Sequence, residues 1–173
     1  MRRLIIWTTS LVLINSAQLF AATGTATLRG TADGSPISGT AHLRDTPQGL
    51  AITIHVAHVS PGAHGLHVHD FGDCGSGGQA AGGHYNPDSV KHGYLPKDGF
   101  TGAHAGDLGN IEVGADGTGT LSLTVEGLAV SSGPHPVAGH AIILHEKVDD
   151  FGQPTGNAGS RIGCGVIEVA SHP

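Results

Sequence analysis

His67-Val68-His69 sets two imidazoles two positions apart. On a strand, residues i and i+2 face the same side, so both rings project together while Leu66 and Val68 face the other way. Downstream come His84, His92, His104 and Asp107, the last two as His-x-x-Asp, close enough to bite one ion from a single turn. Three neutral imidazoles and a carboxylate fill a tetrahedral zinc site, which is closed and therefore structural. An imidazole-rich set in a tetragonal arrangement suits copper instead. A further imidazole, His145, lies in Ile142-Ile143-Leu144-His145-Glu146-Lys147. It does not begin a zincin motif: position 149 is Asp149, and the segment reads as a strand where that motif needs a helix.

The elements that must position these side chains are strands. Leu50, Ile52, Ile54 and Val56 alternate with Ala51, Thr53 and His55, and Leu121, Leu123 and Val125 alternate with Thr120, Ser122 and Thr124. That period of two turns one set inward and the other toward water. Further runs fall at about 24–30, 37–44, 65–70, 110–113, 138–145 and 162–169. Asp33-Gly34 and Asp116-Gly117 read as turns, the second as a hairpin joining 110–113 to 118–126. No ten-residue segment carries a capped 3.6 period. Eight short antiparallel strands predict an all-β Greek-key sandwich or flattened barrel. Residues 71–109 have no strand pattern, and a loop of that length is commonly functional or held by something else. Bound metal could hold it, since ligand bonds replace the apolar core the loop lacks.

Composition narrows the classes. The chain has 173 residues, which suits one domain, with 29 Gly that follow no three-residue period, so collagen is excluded. With 8 Lys+Arg against 14 Asp+Glu and a net charge of −6, no basic face for nucleic acid is expected. Arg2 and Arg3 precede an apolar run from Leu4 to Ile14 and small residues up to Ala22, the pattern of a secretory signal peptide over residues 1–22. The run is too short to span a bilayer, which takes about 20 residues. Cleavage removes two arginines and no acid, leaving residues 23–173 at −8 and free of the membrane. No Asn-x-Ser/Thr acceptor occurs, which favours the periplasm of a Gram-negative bacterium over a eukaryotic secretory route. In an oxidising compartment, the two cysteines, Cys74 and Cys164, favour one disulfide. The rival, a thiolate metal site, lacks a CxxC spacing.

Four segments occur in an order that resembles copper/zinc superoxide dismutase. They are Gly65-Leu66-His67-Val68-His69-Asp70-Phe71-Gly72-Asp73, Gly106-Asp107-Leu108-Gly109-Asn110, His145-Glu146-Lys147-Val148-Asp149-Asp150 and Gly156-Asn157-Ala158-Gly159-Ser160-Arg161-Ile162-Gly163-Cys164-Gly165-Val166-Ile167. The resemblance runs from about Thr25 to Val169. It implies copper on His67, His69, His84 and His145. It implies zinc on His84, His92, His104 and Asp107, with His84 an imidazolate shared by both metals. Asp149 matches a carboxylate linking His67 to His92, and such partners fix ring tautomer and orientation. Arg161 matches the arginine over the open copper position. The spacing from His69 to Cys74 is typical of bacterial members, which occur as monomers and homodimers, while the stretch from His145 to Arg161 resembles the eukaryotic type. That stretch is short and lacks the Glu-Glu-Lys cluster that guides the anion in eukaryotic members.

The implied activity is disproportionation of superoxide to dioxygen and hydrogen peroxide, with Arg161 and His84 catalytic. Two other classes compete: a non-catalytic copper/zinc carrier on the same fold and a sandwich interaction module with a degenerate site. A carrier needs the ligands but neither Arg161 nor an open copper position. Lys91, Lys97 and Lys147 are candidate partners of Arg161 in drawing in the anion. The remaining histidines, at 42, 55, 58, 64, 135, 140 and 172, are expected to be structural or superficial, with His64 matching a structural hydrogen-bonding position.

Overall fold

The computed structural model describes residues 21–170, so the expected leader, apart from its last two residues, lies outside the described residues, as does His172. The strands are β1 (Thr23–Gly30), β2 (Ser38–Thr46), β3 (Gly49–Ala57) and β4 (Gly62–His69). After one turn of helix, α1 (Leu95–Asp98), come β5 (Asp107–Val113), β6 (Gly119–Val125), β7 (Leu128–Ala129), β8 (His135–Pro136), β9 (Ala141–His145), β10 (Arg161–Val166) and β11 (Glu168–Val169). The order β1-β2-β3-β6-β5-β4-β9-β10 closes where β10 returns to β1 through Arg29↔Cys164 and Gly30↔Gly163, making an eight-stranded antiparallel barrel. Closure removes the unpaired edges of an open sheet. Because β4 pairs with β5 and β9 rather than with β3, the path is a Greek key.

The alternation read on β3 holds: Leu50, Ile52, Ile54 and Val56 are buried in the barrel core. On β6 the inward Leu121 and Leu123 are only half-buried. The expected run at 110–113 begins earlier, at Asp107, so that residue opens a strand rather than closing a loop. The run at 162–169 divides at Ile167, whose N–H and C=O turn aside to His140 and Gly139 at 2.9 and 2.8 Å. The same two bonds keep residues 138–140 out of β9, which starts only at Ala141. The two-residue parallel pair β7–β8 has no signal in the sequence.

Strand β4 breaks the alternation, and this creates the site. From His64 to His69 every residue is buried. Leu66 and Val68 enter the barrel core, while His67 and His69 leave the barrel wall under the long loop. That loop is stitched to β4 by its own main chain. Tyr85 N–H donates to Val68 O at 2.9 Å, Val68 N–H to Gly106 O at 2.9 Å, and Asp70 N–H to Gly83 O at 3.0 Å. Tyr85, Leu95, Ala103 and Ala105 add apolar anchors. Metal is therefore not the loop's only fastening.

Candidate metal centre

Register brings the outward side chains of three strands together. His67 on β4 lies opposite Asp107 on β5 and Ile143 on β9, and His145 ends β9 opposite Arg161 on β10. Two of these pairings are interrupted nearby by a register shift, β4–β5 between Gly65 and His67 and β9–β10 between Arg161 and Gly163. Bulges of this kind re-aim side chains at sites. The loop delivers His84, His92 and His104.

The result is two buried donor sets that share one residue. His67, His69, His84 and His145 each offer one atom within 4.8 Å of the others, and so do His84, His92, His104 and Asp107. The residues expected as ligands from the sequence all fall in one or other of these sets. His84 Nδ1 faces the second set, 2.9 Å from Asp107 Oδ1 and 3.4 Å from His104 Nδ1, which leaves Nε2 for the first. The ring stacks on His67 with centroids 4.0 Å apart. Asp149 lies between the sets: His67 Nε2 donates to Oδ2 at 2.8 Å and His92 Nε2 to Oδ1 at 2.9 Å.

The donor atoms fit metal better than they fit each other. His67 Nδ1 is buried without a hydrogen-bond partner. So is His92 Nδ1, which lies 2.9 Å from Asp107 Oδ2 without the alignment a hydrogen bond needs. Unpaired polar atoms at such depth are costly. Two nitrogen pairs, His84 Nδ1–His104 Nδ1 and His69 Nε2–His145 Nε2, stand 3.4 Å apart. Tetrahedral zinc with bonds of about 2.0–2.1 Å would space its ligands by about 3.3–3.4 Å. The far ring nitrogens of His69 and His145 are engaged as ligand histidines require: His69 Nδ1–H donates to Gly82 O at 3.1 Å and His145 Nδ1–H to Gly159 O at 3.3 Å.

Burial keeps three imidazoles of the first set, His69, His84 and His145, neutral and ready to donate lone pairs. It pulls His69 down to about 2, His84 to about 4 and His145 to about 3, and the neighbouring imidazoles add to the effect. His92 goes the other way: burial opposes its charge, but the carboxylates of Asp107 and Asp149 raise it to about 9. Burial also opposes charge on those two carboxylates, yet the imidazoles around them hold both well below the usual range. An imidazole with a folded pKa below its ordinary 6.5 takes its proton first in the unfolded chain. The metal-free protein is thus expected to lose stability as pH falls from 6.5 through 4, by up to about 1.4 kcal/mol per pH unit for each such ring. His92 contributes stability that is full below 6.5 and fades as pH rises through 9, so it does not offset the acid loss. Denaturant midpoints of the metal-free chain at pH 7 and pH 5 test this; equal midpoints would refute it.

A cavity of about 280 Å³ opens onto the first set, lined by His69, His84, His145, Thr155, Asn157 and Arg161 among others. Arg161 Nη1–H donates to Gly78 O at 2.7 Å and Nη2–H to Gly82 O at 2.6 Å. None of Lys91, Lys97 and Lys147 lines this cavity, so among the described residues Arg161 is the one Lys or Arg side chain in its wall. The cysteines are joined as Cys74–Cys164.

A family model described as copper/zinc superoxide dismutase matches residues 37–167. The chain belongs to the copper/zinc superoxide dismutase family. It is 41% identical over 136 residues to an extracellular Cu-Zn superoxide dismutase of Caenorhabditis elegans, a match covering 75% of this chain and 60% of that longer protein. It is 35% identical over 150 residues to a Cu-Zn superoxide dismutase of Onchocerca volvulus, covering 80% of this chain and 92% of the relative. Among solved structures it is similar to the clock protein EA4, with a TM-score of 0.77, 33% identity and coverage of 87% and 96%.

Several residues around this superoxide dismutase site have partners that the sequence does not reveal. Asn110 brackets the main chain of Asp149, accepting from its N–H at 2.7 Å and donating to its C=O at 3.0 Å. His140 Nδ1–H donates to His69 O at 3.0 Å. His64 joins His145 O, at 2.9 Å, to Ser60 O, at 2.8 Å, and His42 and His55 are exposed, as expected. His135, among those expected to be structural or superficial, is structural: it is buried on Phe100 and donates to Asp88 at 2.7 Å.

Proposed function

We propose that this chain disproportionates superoxide, with copper on His67, His69, His84 and His145 and zinc on His84, His92, His104 and Asp107. The observation that carries the reading is a pair of converging donor sets sharing His84 beneath a cavity walled by Arg161. Bound copper supplies a one-electron couple that one superoxide reduces and the next oxidises. Arg161 binds and orients the anion. Its guanidinium has five N–H donors, of which Gly78 and Gly82 occupy two, so others stay free for an oxygen. His84 holds or passes a proton at Nε2, the nitrogen on the cavity side, while Nδ1 stays turned to the zinc set. Asp149 fixes the tautomers of His67 and His92 together.

Arg161 also separates this reading from a non-catalytic metal carrier, which has no use for a cation at the cavity. Loading metal-free protein with copper and zinc and timing superoxide decay tests it: tight uptake of both metals without turnover would favour the carrier. We place the enzyme in the periplasm of a bacterium, as residues 23–173 after removal of residues 1–22. The basic-apolar-small leader, the disulfide and the short His69–Cys74 spacing support this, and the extracellular naming of the nematode relative supports export in general.

With the chain acidic overall, attraction of superoxide must be local. Arg161→Ala is expected to slow turnover about 10–100-fold, the worth of one charge-assisted contact. It should also flatten the decline of rate with salt that screening over roughly 8 Å at 0.15 M produces. Stopped-flow rates across ionic strength decide this, and a wild-type rate that rises with salt would remove Arg161 as the focus.

A further inference from the structure

We propose that Gln153 is a positioning residue for the zinc set, a two-pronged clamp on the main chain of His92; this rests on the metal assignment above. Gln153 Oε1 accepts from His92 N–H at 3.1 Å, and Gln153 Nε2–H donates to His92 C=O at 2.9 Å. One side-chain amide therefore takes both main-chain groups of a candidate ligand that lies in no strand or helix. The amide works in one orientation only, since a flipped one would set N–H against N–H.

The clamp has a mirror image across the carboxylate. Asp149 and His92 are the two ends of one buried hydrogen bond, and each end has its main chain bracketed by an amide: Asp149 by Asn110, His92 by Gln153. Gln153 sits four residues after Asp149, so the same loop provides the carboxylate and the grip on its partner. Gly156, in the left-handed region at φ 76°, then lies directly over that bond. A Cβ there would overlap Asp149 Oδ1 and come within 2.7 Å of His92 Nε2. Phe151, whose N–H donates to Asp149 Oδ1 at 2.8 Å, sets its ring roughly parallel to the His92 imidazole with centroids 6.4 Å apart.

The loop then runs straight into the cavity wall at Asn157, Ala158 and Gly159, and Gly159 O accepts from His145. Gln153 thus fastens the zinc side of the centre to a segment whose far end holds an imidazole of the copper side. An imidazole ligand is aimed by its main chain as much as by its own torsions. With the clamp gone, His92 can drift from both Asp107 and Asp149.

Gln153→Ala and Gln153→Met, made in the full chain, test this. Met keeps the length and removes both hydrogen bonds. Both variants are expected to weaken zinc binding 10–100-fold in chelator competition below their melting temperatures, the usual effect of losing a ligand's supporting partner. The visible band of cobalt placed in the zinc set should shift, while the copper band should move far less. Zinc affinity and cobalt band unchanged in either variant would overturn the clamp, even if melting temperature falls. In the metal-loaded wild type the His92 amide proton should exchange slowly; exchange at the rate of an open loop would overturn it without any variant. A wild-type chain that takes up no zinc would instead sink the metal assignment, so the two failures are distinct.

Discussion

Replacing His84 with Ala is expected to reduce superoxide turnover to background and to weaken both metals at once. The imidazole belongs to both donor sets, with Nδ1 2.9 Å from Asp107 and 3.4 Å from His104 and the other nitrogen left for His67, His69 and His145. Its loss leaves three donors in each set and a void against the His67 ring. Loss of a supporting partner alone costs metal affinity about 10–100-fold, and loss of a ligand shared by two ions should exceed that for each. His104→Ala removes one donor from the zinc set only, so copper should stay bound and part of the activity with it. Metal content after dialysis, read beside the rate of superoxide decay, separates the two variants. Equal and mild losses would mean that His84 is not shared.

The legible part of this centre was the part written in strand periodicity. A period of two aims His67 and His69 to one side whatever the rest of the chain does, and His145 follows on β9 for the same reason. His104 and Asp107 could be paired because three residues fit within one turn. The fastenings were not legible, because Asn110 and Gln153 act through side-chain amides on main chain 39 and 61 residues away. Gln153 lies in a Gly-rich loop with no period, and the strand period at Asn110 sets its face but does not name a partner 39 residues on. The place of Lys147 was not legible for a related reason: it is two residues from His145, but the strand has already ended at His145. Beyond that point the alternation no longer says where a side chain goes. His135 shows the same limit, since burial on Phe100 depends on a two-residue strand with no pattern of its own.

Cys74→Ser is expected to cost stability and, separately, to disturb the anion site. The bond between Cys74 and Cys164 closes a separation of 90 residues, for which loop-closure entropy amounts to about 4–5 kcal/mol. In a domain of this size that corresponds to a fall of roughly 10–20 °C in melting temperature. The catalytic effect follows from what the bond holds down. Cys164 stands three residues after Arg161 on β10, and the loop that Cys74 begins returns Gly78 O and Gly82 O to the Arg161 guanidinium. Apart from Ala81, packed with Ala141, Ile143 and Cys164, that loop has little apolar content to keep it in place. Once it lifts, Arg161 loses both carbonyls and its aim over the cavity. Turnover measured well below melting should therefore drop toward that of Arg161→Ala. The double variant should be little slower than Arg161→Ala alone, because the two changes remove one function. Reductant should reproduce the loss in the wild type and leave Cys74→Ser unaffected. A Cys74→Ser protein that melts earlier yet turns over at the wild-type rate would show that Arg161 holds its place without the disulfide.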